Sequence, residues 1–333
     1  MGYKVYFLNP TCKWRFQNLF STHIKKDKIN DQLTIINYKN NFPQRIFPQF
    51  FTRLNDLLNR MKLNASLNLK NKNLVWWKFD PYRFLNTRYK KAKSIYHVVD
   101  PHMHLWQNKI HAENSDLIVC SSDKYIHYFN VFGCKNIVQM GHGISEEEFE
   151  IDQQIVNSIT TKYGNFVIFI GAIAHDVNID ILQKIASEHI NVLIIGTESV
   201  SCPEWAALKE SEYVHYIGQL HAKELKNYIA ASKAGLIAYN FISKQKNQIS
   251  RSPLKALNYL AQNKPVITSI DAEIEILNNQ GIFKANDIEN YTALVRKAVS
   301  SELTVNIQAI KSYLDQHKYN TLISNILVLI NKC

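Results

Sequence analysis

The sequence lacks the patterns that mark membrane-spanning, exported and lipid-anchored chains. No apolar run approaches the roughly 18–20 residues that a helix needs to cross a bilayer. The first residues run straight into a strand-like stretch, so we expect no signal peptide. There is no myristoylation pattern, and Cys333 stands in no prenylation motif. The five cysteines are scattered and form no C-x-x-C pair, which indicates reduced thiols in a cytoplasmic protein.

Signatures of two further protein classes are missing as well. The chain has no zinc finger, helix-turn-helix or aromatic RNA-binding signature, so we expect no nucleic-acid partner. No G-x-G-x-x-G loop follows the first apolar run, Tyr3–Leu8, which argues against a dinucleotide-binding oxidoreductase. With 333 residues, the chain is too long for one typical domain and has the size of two.

Charge is distributed unevenly along the chain. The net charge is +11, but residues 1–110 contain 20 Lys and Arg against 5 Asp and Glu, a balance of +15. The remaining residues contain 19 against 23, a balance of −4. Since nucleic acid is not expected, a basic half of this kind suits an anionic lipid surface or a phosphorylated substrate.

Short apolar runs alternate with longer helical stretches, which is typical of parallel α/β units. The pattern pauses near residues 145–163 and then restarts, which indicates two Rossmann-like domains. The predicted domains are 1–150 and 151–305, followed by C-terminal helices at 306–333. The predicted strands are Tyr3–Leu8, Leu33–Ile36, Leu74–Trp77, Ile95–Val99, Leu117–Cys120, Ile137–Met140, Phe166–Ile170, Val192–Ile195, Val214–Ile217, Gly235–Ala238, Pro265–Thr268 and Ile282–Phe283.

One candidate anion site follows the predicted strand Phe166–Ile170. Gly171 ends the strand and permits close approach of a ligand to the backbone. A helix is predicted to start near Asn178, where its first N–H groups are available to an anion. His175 lies in the loop between them and is suited to donate a hydrogen bond to a phosphate. The alternative is an ordinary strand-to-helix turn.

A second candidate anion site lies at the start of the stretch Ser252–Ala261. Ser252 is a favourable N-cap and Pro253 a favourable first helical residue, so a helix is predicted to begin there with its positive end exposed. Arg251 and Lys255 add full charges near that end. The alternative for each is a solvated surface position, but the coincidence of cap, proline and charges favours phosphate binding.

The stretch Ser252–Ile267 resembles the S-P-L-K-x-x-E-Y-L-A-x-G-K-P-V-V segment of bacterial GT-B glycosyltransferases. The resemblance is to the group-1, family-4-like type involved in cell-surface polysaccharide synthesis. It covers most of residues 1–270, because other segments match in the same order. These segments are Trp14–Gln17, Trp77–Pro81, Tyr96–Asp100, Asp116–Ser122, Gly141–Ile144 with Phe149, Val214–Gly218 and Leu236–Tyr239.

The resemblance implies a GT-B fold, in which two Rossmann-like domains with parallel sheets face each other and a C-terminal helix returns to the first. The C-terminal domain would hold a UDP- or GDP-linked sugar, and the N-terminal domain a glycan or lipid-linked acceptor. It implies a hexosyltransferase-type enzyme that needs no cofactor and no catalytic metal. Consistent with this, the chain has no Asp-x-Asp triplet, which the metal-dependent alternative fold would use. The expected donor-binding residues are Gly171, His175, Tyr239, Arg251, Ser252, Lys255 and Asn258.

The chain departs from the family segment at three positions. Asn258 stands where relatives have a Glu that accepts hydrogen bonds from the ribose hydroxyls, and its amide oxygen accepts without charge assistance. Ser250 replaces a second Glu of many relatives, and Asn263 replaces the usual Gly. A second interpretation therefore stays open beside the active enzyme: a catalytically degenerate GT-B partner subunit that binds a glycan or another transferase.

Candidate catalytic residues lie around the end of a predicted strand in the N-terminal half. Asp100 is the candidate to deprotonate an acceptor hydroxyl, and a nearby histidine, such as His102, is the candidate to assist. Asp100 or His97 is expected to lie near the reactive carbon of the sugar. One alternative is that Asp100 caps a helix and the histidines lie on the surface. Another is that Asp100, His102 and His104 bind a metal.

Residues 42–63 predict a basic, amphipathic helix that can lie in a membrane interface. Its cations are Arg45, Arg53, Arg60 and Lys62. The alternative is a core helix that packs its apolar face on the sheet. The regional charge favours peripheral contact with anionic lipid at the inner face of the plasma membrane, where a lipid-linked acceptor is found. The predicted apolar face consists of Phe47, Phe50, Phe51, Leu54, Leu57, Leu58 and Met61.

Overall fold

The computed structural model of the protein describes residues 3–11, 13–69, 72–85, 89, 91–99, 103–134, 136–241 and 254–333. The chain divides into two compact units. The first contains residues up to Met140 together with Leu327–Cys333, and the second contains Gly141–Ile326. The domain bounds at 150 and 305 stay predictions, because grouping by contact does not test which segments fold independently.

Among the described residues, the first unit is built on one mixed and one parallel β-sheet. Its strands are β1 (Val5–Leu8), β2 (Ile24–Lys28), β3 (Leu33–Tyr38), β4 (Leu74–Lys78), β5 (Ala92–Val98), β6 (Leu117–Cys120) and β7 (Ile137–Gln139). The mixed sheet has the order β1-β3-β2 and the parallel sheet the order β4-β5-β6-β7. Its helices are α1 (Pro48–Leu67), α2 (Gln107–Glu113) and α3 (Asp123–Asn130).

Strand β2 is the strand that the apolar pattern does not predict. Its sequence, Ile-Lys-Lys-Asp-Lys, contains one apolar residue, and it pairs antiparallel with β3 at the edge of the mixed sheet. An edge strand of this kind leaves most of its side chains in water, and charged residues there discourage pairing with other chains. A search for buried apolar runs therefore passes over it.

The described residues of the second unit form one parallel sheet. Its strands are β8 (Phe166–Ile170), β9 (Asn191–Ile195), β10 (Val214–Tyr216), β11 (Gly235–Ile237), β12 (Val266–Thr268) and β13 (Ile282–Lys284). Its helices are α4 (Gln153–Tyr163), α5 (Ile179–Ser187), α6 (Pro203–Lys209), α7 (Ala222–Ala231), α8 (Leu254–Ala261), α9 (Ile288–Val299), α10 (Ile307–Gln316) and α11 (Tyr319–Lys332). Helix α11 begins in the second unit, and its residues from Leu327 onward belong to the first.

The parallel sheet of the second unit is buried on both faces. Along β8, Phe166 and Ile168 enter one apolar core, while Val167 and Phe169 enter the core on the other face. This alternation follows from the two-residue period of a strand. Apolar runs with little polar alternation are expected for such doubly covered strands, and they made the strands of this unit predictable.

In the sheet order β10-β9-β8-β11-β12-β13, all strands are parallel, but successive strands are added first on one side of β8 and then on the other. From β8 the chain builds towards β10 on one side, and then restarts with β11 on the other side of β8. Open α/β sheets bind ligands at such a switch point, outside the carboxyl ends of the two strands. In this unit the switch point lies at the ends of β8 and β11.

Helical predictions are confirmed at the carboxyl end of the chain and partly wrong near residue 50. The stretch 305–332 contains α10 and α11, as its apolar spacing predicts. Helix α1 is present, but the alternative that it packs its apolar face on the sheet is wrong, because Phe47, Phe50, Leu57 and Met61 are exposed. No helix in the described part of the chain is long and apolar enough to cross a bilayer.

Candidate functional site

Gly171 lies directly after β8, at the switch point of the second unit. Its φ of +139° is a conformation that L-residues with a side chain rarely adopt. A Cβ added there would lie 2.9 Å from Nζ of Lys255. The neighbour that occupies the space beside Gly171 is therefore a cationic side chain, and the predicted approach of a ligand to this backbone stays a prediction.

Lys255 extends from the first turn of α8 to the end of β8. Its Nζ lies 4.7 Å from the ring centroid of Phe169 and 4.8 Å from that of Tyr239. Aromatic faces attract a cation without neutralising it. Within the described residues Lys255 makes no salt bridge, so its charge is available to an anion. The structure thus brings together three predicted donor-binding residues, Gly171, Lys255 and Tyr239.

Tyr259 fixes the helix that carries Lys255, and the sequence reasoning did not single it out. Its fully buried hydroxyl accepts a hydrogen bond from the Ile170 N–H at 3.0 Å and donates one to the Leu236 carbonyl at 3.2 Å. Burial raises the pKa of this phenol, so it stays protonated. Its ring lies on Gly235, where a Cβ would stand 2.1 Å from the ring. Tyr259 therefore joins β8, β11 and α8 at the switch point.

Asn258 is half-buried and lies three residues after Lys255, which puts both on one side of α8. Its amide makes no hydrogen bond within the described residues, so both its oxygen and its nitrogen are available to a ligand. Neutral amide oxygens accept hydroxyl hydrogen bonds without the added strength of a carboxylate. The geometry is compatible with the predicted ribose-binding role and does not test it.

The loops after β8, β11 and β12 are tied to one another. Asn240 donates from Nδ2 to the His175 carbonyl at 3.0 Å, and the N–H of Tyr239 donates to Oγ of Ser269 at 2.8 Å. Asn178 caps α5 by accepting from the Ile181 N–H, which confirms the predicted start of that helix. The exposed imidazole of His175 lies in this connected loop region. Ser269 and Asn240 are supports that the apolar pattern did not reveal.

Gly196, at the end of β9, is a second position that only glycine fits. Its φ is +157°, and a Cβ there would lie 1.9 Å from the carbonyl oxygen of Gly171. The N–H of Gly171 in turn donates to the Ile195 carbonyl at 2.9 Å. Two strand ends therefore approach each other closely, and this contact sets the backbone conformation of the candidate site.

Several predicted site residues lie outside the described residues. They are the candidate donor-binding residues Arg251 and Ser252 and the candidate catalytic residues Asp100 and His102. Helix α8 is described from Leu254 onward, so the predicted cap of that helix stays a prediction.

His97 lies in β5 of the first unit and is the described member of the candidate catalytic group. Its Nδ1 accepts a hydrogen bond from Nε1 of Trp77 at 3.3 Å, and its ring lies 5.0 Å from that of Phe79. In the neutral imidazole this bond puts the ring proton on Nε2. The expected position of His97 near the reactive carbon of the sugar stays a prediction.

Arg83 organises the loop after β4, and sequence reasoning missed it. Its guanidinium donates to the carbonyls of Leu8 and Asn9 and to the hydroxyl of Tyr38, and it forms a salt bridge of 2.8 Å with Asp80. Burial outweighs the nearby guanidinium and raises the pKa of Tyr38 to about 12. Arg83 thus links the carboxyl ends of β1 and β4 within the first unit.

A surface depression of about 380 Å³ lies elsewhere on the second unit. Its lining includes Gln183, His189 and Tyr213. His189 and Tyr213 precede β9 and β10, so the depression is at the amino ends of the strands. Ligands of open α/β sheets bind at the other end, and the Gly171–Lys255 region is therefore the better candidate.

Comparison with known proteins gives matches at the level of structure. No protein-family model matches the sequence, and no curated protein sequence matches it. Sucrose-phosphate synthase from Thermosynechococcus elongatus matches with a TM-score of 0.69 and 10% identity, over 99% of this chain and 89% of that one. A trehalose-6-phosphate synthase matches with a TM-score of 0.67 and 12% identity, over 98% and 93% of the two chains. HepE from Anabaena, solved with UDP and glucose, matches with a TM-score of 0.62 and 10% identity, over 99% and 100%.

These similar structures are GT-B glycosyltransferases, and their matches span nearly all of this chain. The protein therefore has the predicted GT-B fold, with two Rossmann-like units whose strands pair in parallel except at the edge strand β2. At 10–12% identity the likeness shows the fold alone. Different functions share one fold, so the activity has to be argued from the residues of the site.

Proposed function

We propose that this protein is a hexosyltransferase-type glycosyltransferase. It moves a sugar from a UDP- or GDP-linked donor to a glycan or lipid-linked acceptor in polysaccharide biosynthesis. The observation that carries the proposal is the Lys255 ammonium, held between the rings of Phe169 and Tyr239 at the switch point. The fold likeness supports it, since HepE was solved with UDP and glucose.

The donor diphosphate is assigned to the space around Gly171 and Lys255. Gly171 lets a phosphate approach the backbone, and Lys255 supplies a compact positive charge that contacts phosphate oxygens. His175 donates a hydrogen bond to the same diphosphate, and Arg251 and Ser252, which precede α8 in the sequence, also bind it. The amide oxygen of Asn258 accepts from a ribose hydroxyl. The ring of Tyr239 lies against the Lys255 ammonium at the edge of this site.

The transfer step balances without a cofactor. The acceptor hydroxyl gives its proton to the Asp100 carboxylate, and its oxygen bonds to the anomeric carbon of the sugar. The bond from that carbon to the donor phosphate oxygen breaks, and the nucleoside diphosphate leaves with the electron pair. Lys255 stabilises the negative charge that develops on the leaving group, a role that a metal ion fills in other transferases. His97 lies near the reactive carbon of the sugar, and His102 assists Asp100.

The acceptor is assigned to the basic first unit. Residues 1–110 carry a balance of +15, which attracts a phosphorylated, lipid-linked glycan and the anionic lipid around it. We therefore place the enzyme in the cytoplasm, in peripheral contact with the inner face of the plasma membrane.

A catalytically degenerate partner subunit is the second candidate function. Asn258 favours it, because the neutral amide lies where the resemblance implies a ribose-binding carboxylate. Such a subunit would keep the fold and bind a glycan or another transferase without transferring sugar.

A thermal-shift panel of UDP, GDP, UDP-glucose, GDP-mannose and NAD tests the proposal. Stabilisation by a nucleoside diphosphate and its sugar supports the transferase and identifies the nucleotide, since a ligand that binds the folded state raises the unfolding temperature. Stabilisation by NAD alone would indicate an oxidoreductase. No response to any compound would overturn the proposal in favour of the degenerate subunit.

A further inference from the structure

The first three turns of helix α1 have their polar side inward. There the inward face carries Thr52, Asn55, Asp56 and Asn59, all of which are buried, whereas Leu63 and Leu67 in the last turns enter an apolar core. Asn55 donates from Nδ2 to the Phe42 carbonyl and accepts on Oδ1 from the Phe42 N–H, both at 2.9 Å. These polar contacts attach the helix to the first unit.

The buried carboxylate of Asp56 completes this attachment. It accepts from the N–H groups of Phe84 and Leu85 at 2.6 Å and 2.7 Å. Asn59 donates to Oδ1 of Asn40 at 2.8 Å. Because the polar face of α1 is satisfied inside the unit, its apolar face is left to point outward.

The outward face of α1 is a stripe of large apolar side chains. Positions 47, 50, 54, 57 and 61 are three and four residues apart and therefore share one side of the helix. Phe47 is 74% exposed, Phe50 64% and Met61 58%. Exposed apolar stripes of this kind mark interaction sites.

A neighbouring loop adds two further aromatic side chains. Phe16 and Phe20 are 77% and 84% exposed. The loop between them is held by Asn41, whose Nδ2 donates to the carbonyls of Asn18, Leu19 and Ser21. Lys62 of α1 donates to Oδ1 of the same Asn41, so the loop is attached to the helix. We call Phe16, Phe20, Phe47, Phe50, Leu57 and Met61 the apolar surface.

Positive charges outnumber negative ones in the segments that carry the apolar surface. Residues 13–69 contain ten Lys and Arg against three acidic residues. Of these three, Asp56 is buried, Asp27 pairs with Lys25 and Asp31 pairs with Lys28. Arg15, Arg45 and Arg53 are exposed in the same segments. Exposed apolar rings beside arginines, with the carboxylates of the same segments either buried or paired with lysines, match the requirements of an interface helix on anionic lipid.

A second copy of this chain fits the surface less well. A two-fold contact places the same patch of both copies together, so Arg45 and Arg53 would face the arginines of the other copy. Like charges placed together across an interface oppose binding. A bilayer with anionic headgroups neutralises the same arginines while it buries the rings.

We propose that the apolar surface lies in the interface of an anionic membrane, with α1 parallel to the bilayer plane. The membrane contact is independent of the transferase reaction. Its purpose, which is to present a lipid-linked acceptor to the first unit, rests on the proposed function.

Vesicle flotation tests the proposal with the double variant Phe50→Glu/Met61→Glu. Wild-type protein is expected to float with vesicles of equal parts phosphatidylglycerol and phosphatidylcholine, and not with phosphatidylcholine alone. High salt should weaken the binding, because it screens the arginines. The double variant is expected to bind at least about tenfold more weakly, since it places two carboxylates on the buried face of the contact.

Ile276→Glu is the matched control, because Ile276 is 67% exposed but lies in the second unit. It should float like the wild type. The thermal shift with nucleotide should be unchanged in the double variant, which separates a lost membrane contact from a lost fold or donor site. Equal flotation of the double variant and the wild type would overturn the proposal. So would a wild-type dimer in light scattering that the double variant dissociates, since the surface would then bind a second copy.

Discussion

The hydroxyl of Tyr259 and the backbone N–H of Ile170 are joined by a hydrogen bond of 3.0 Å. Ile170 is the last residue of β8 and precedes Gly171, while Tyr259 follows Lys255 by four residues on α8. The bond therefore fixes the helix that supplies the cation to the strand end that receives the anion. The position of the Lys255 ammonium therefore depends on the buried hydrogen bonds of Tyr259.

Tyr259→Phe tests this coupling. The variant keeps the ring on Gly235 but leaves the Ile170 N–H and the Leu236 carbonyl without their partner, which should lower the free energy of unfolding by about 1–3 kcal/mol. Nucleotide affinity should fall as well, because α8 is no longer fixed at β8. Urea denaturation and calorimetric titration with the stabilising nucleotide measure the two effects.

Tyr291→Phe is the control for Tyr259→Phe. Tyr291 is also fully buried, and its hydroxyl donates to the Ile267 carbonyl. It should lose stability but keep nucleotide affinity, because its hydroxyl donates to β12 and not to a residue of β8 or α8. Equal losses of affinity in both variants would show that the effect is general destabilisation.

Lys255→Ala removes the charge on which the proposed donor site depends. A hydrogen bond to a charged group is worth about 1.5–3 kcal/mol, so nucleoside diphosphate affinity should fall by roughly 10- to 150-fold. Titration calorimetry with the nucleotide from the thermal-shift panel measures this directly. Unfolding stability should change little, since Lys255 makes no salt bridge in the described part of the chain.

Lys209→Ala is the matched control for Lys255→Ala. The Nζ of Lys209 also lies over two rings of the same unit, 5.3 Å from Trp205 and 5.9 Å from Tyr216. It pairs with Glu198 at 2.9 Å, so its charge is already compensated. Nucleotide affinity should be unchanged in this variant. A Lys255→Ala protein that binds as tightly as Lys209→Ala would contradict the assigned role.

The sequence alone could predict the strands of the second unit, because a short apolar run there indicates a buried strand. The strands from β8 to β13 are covered on both faces, and each appears as a short apolar run. Strand β2 could not be found in this way, because three lysines stand among its five residues. Helix α1 shows a second limit. Its amphipathic pattern fixes two faces, but hydrogen bonds made by Asn55 and Asp56 decide which face is inside.

The candidate site was predictable at its glycine and its cation, and not at its supports. Gly171 and Lys255 belong to recognisable local patterns, a strand end and a helix start. Their proximity depends on the strand order that places β11 beside β8, and this is a long-range property of the fold. Tyr259 and Gly196 act through contacts with residues distant in sequence, so no local signal marks them.

A series of glycine-to-alanine variants should separate conformational strain from close contact. Gly164→Ala adds a side chain at φ +66° with nothing within 4 Å, so it carries the conformational cost alone, about 1–3 kcal/mol. Gly171→Ala also displaces the flexible end of Lys255, and should weaken nucleotide binding as well as stability. Gly196→Ala places its new methyl group against the Gly171 carbonyl, so it should have the lowest free energy of unfolding of the three variants. Thermal unfolding and nucleotide titration of the series check this order, and normal affinity in Gly171→Ala would contradict it.

His111 should make the first unit sensitive to acid. Its side chain is fully buried, its ring stacks on Tyr96 at 4.4 Å, and its Nε2 donates to the Pro81 carbonyl at 3.1 Å. Burial, helped by the nearby Lys78 cation, lowers the pKa of His111 to about 3. The unfolded chain takes up this proton below about pH 6.5 and the folded chain does so only near 3. The contribution of His111 to the free energy of unfolding is therefore at its full value above pH 6.5. It falls by about 1.4 kcal/mol per pH unit between pH 6.5 and pH 3.

His111→Phe isolates this contribution because it keeps a flat ring against Tyr96 and does not titrate. The variant should lose about 1 kcal/mol at pH 7 with the Pro81 hydrogen bond, but its stability should fall less steeply than that of the wild type below pH 6.5. Urea denaturation at several pH values gives both curves, and their difference cancels the other titrating groups. Parallel curves for His111→Phe and the wild type would mean that His111 is not held neutral by the fold.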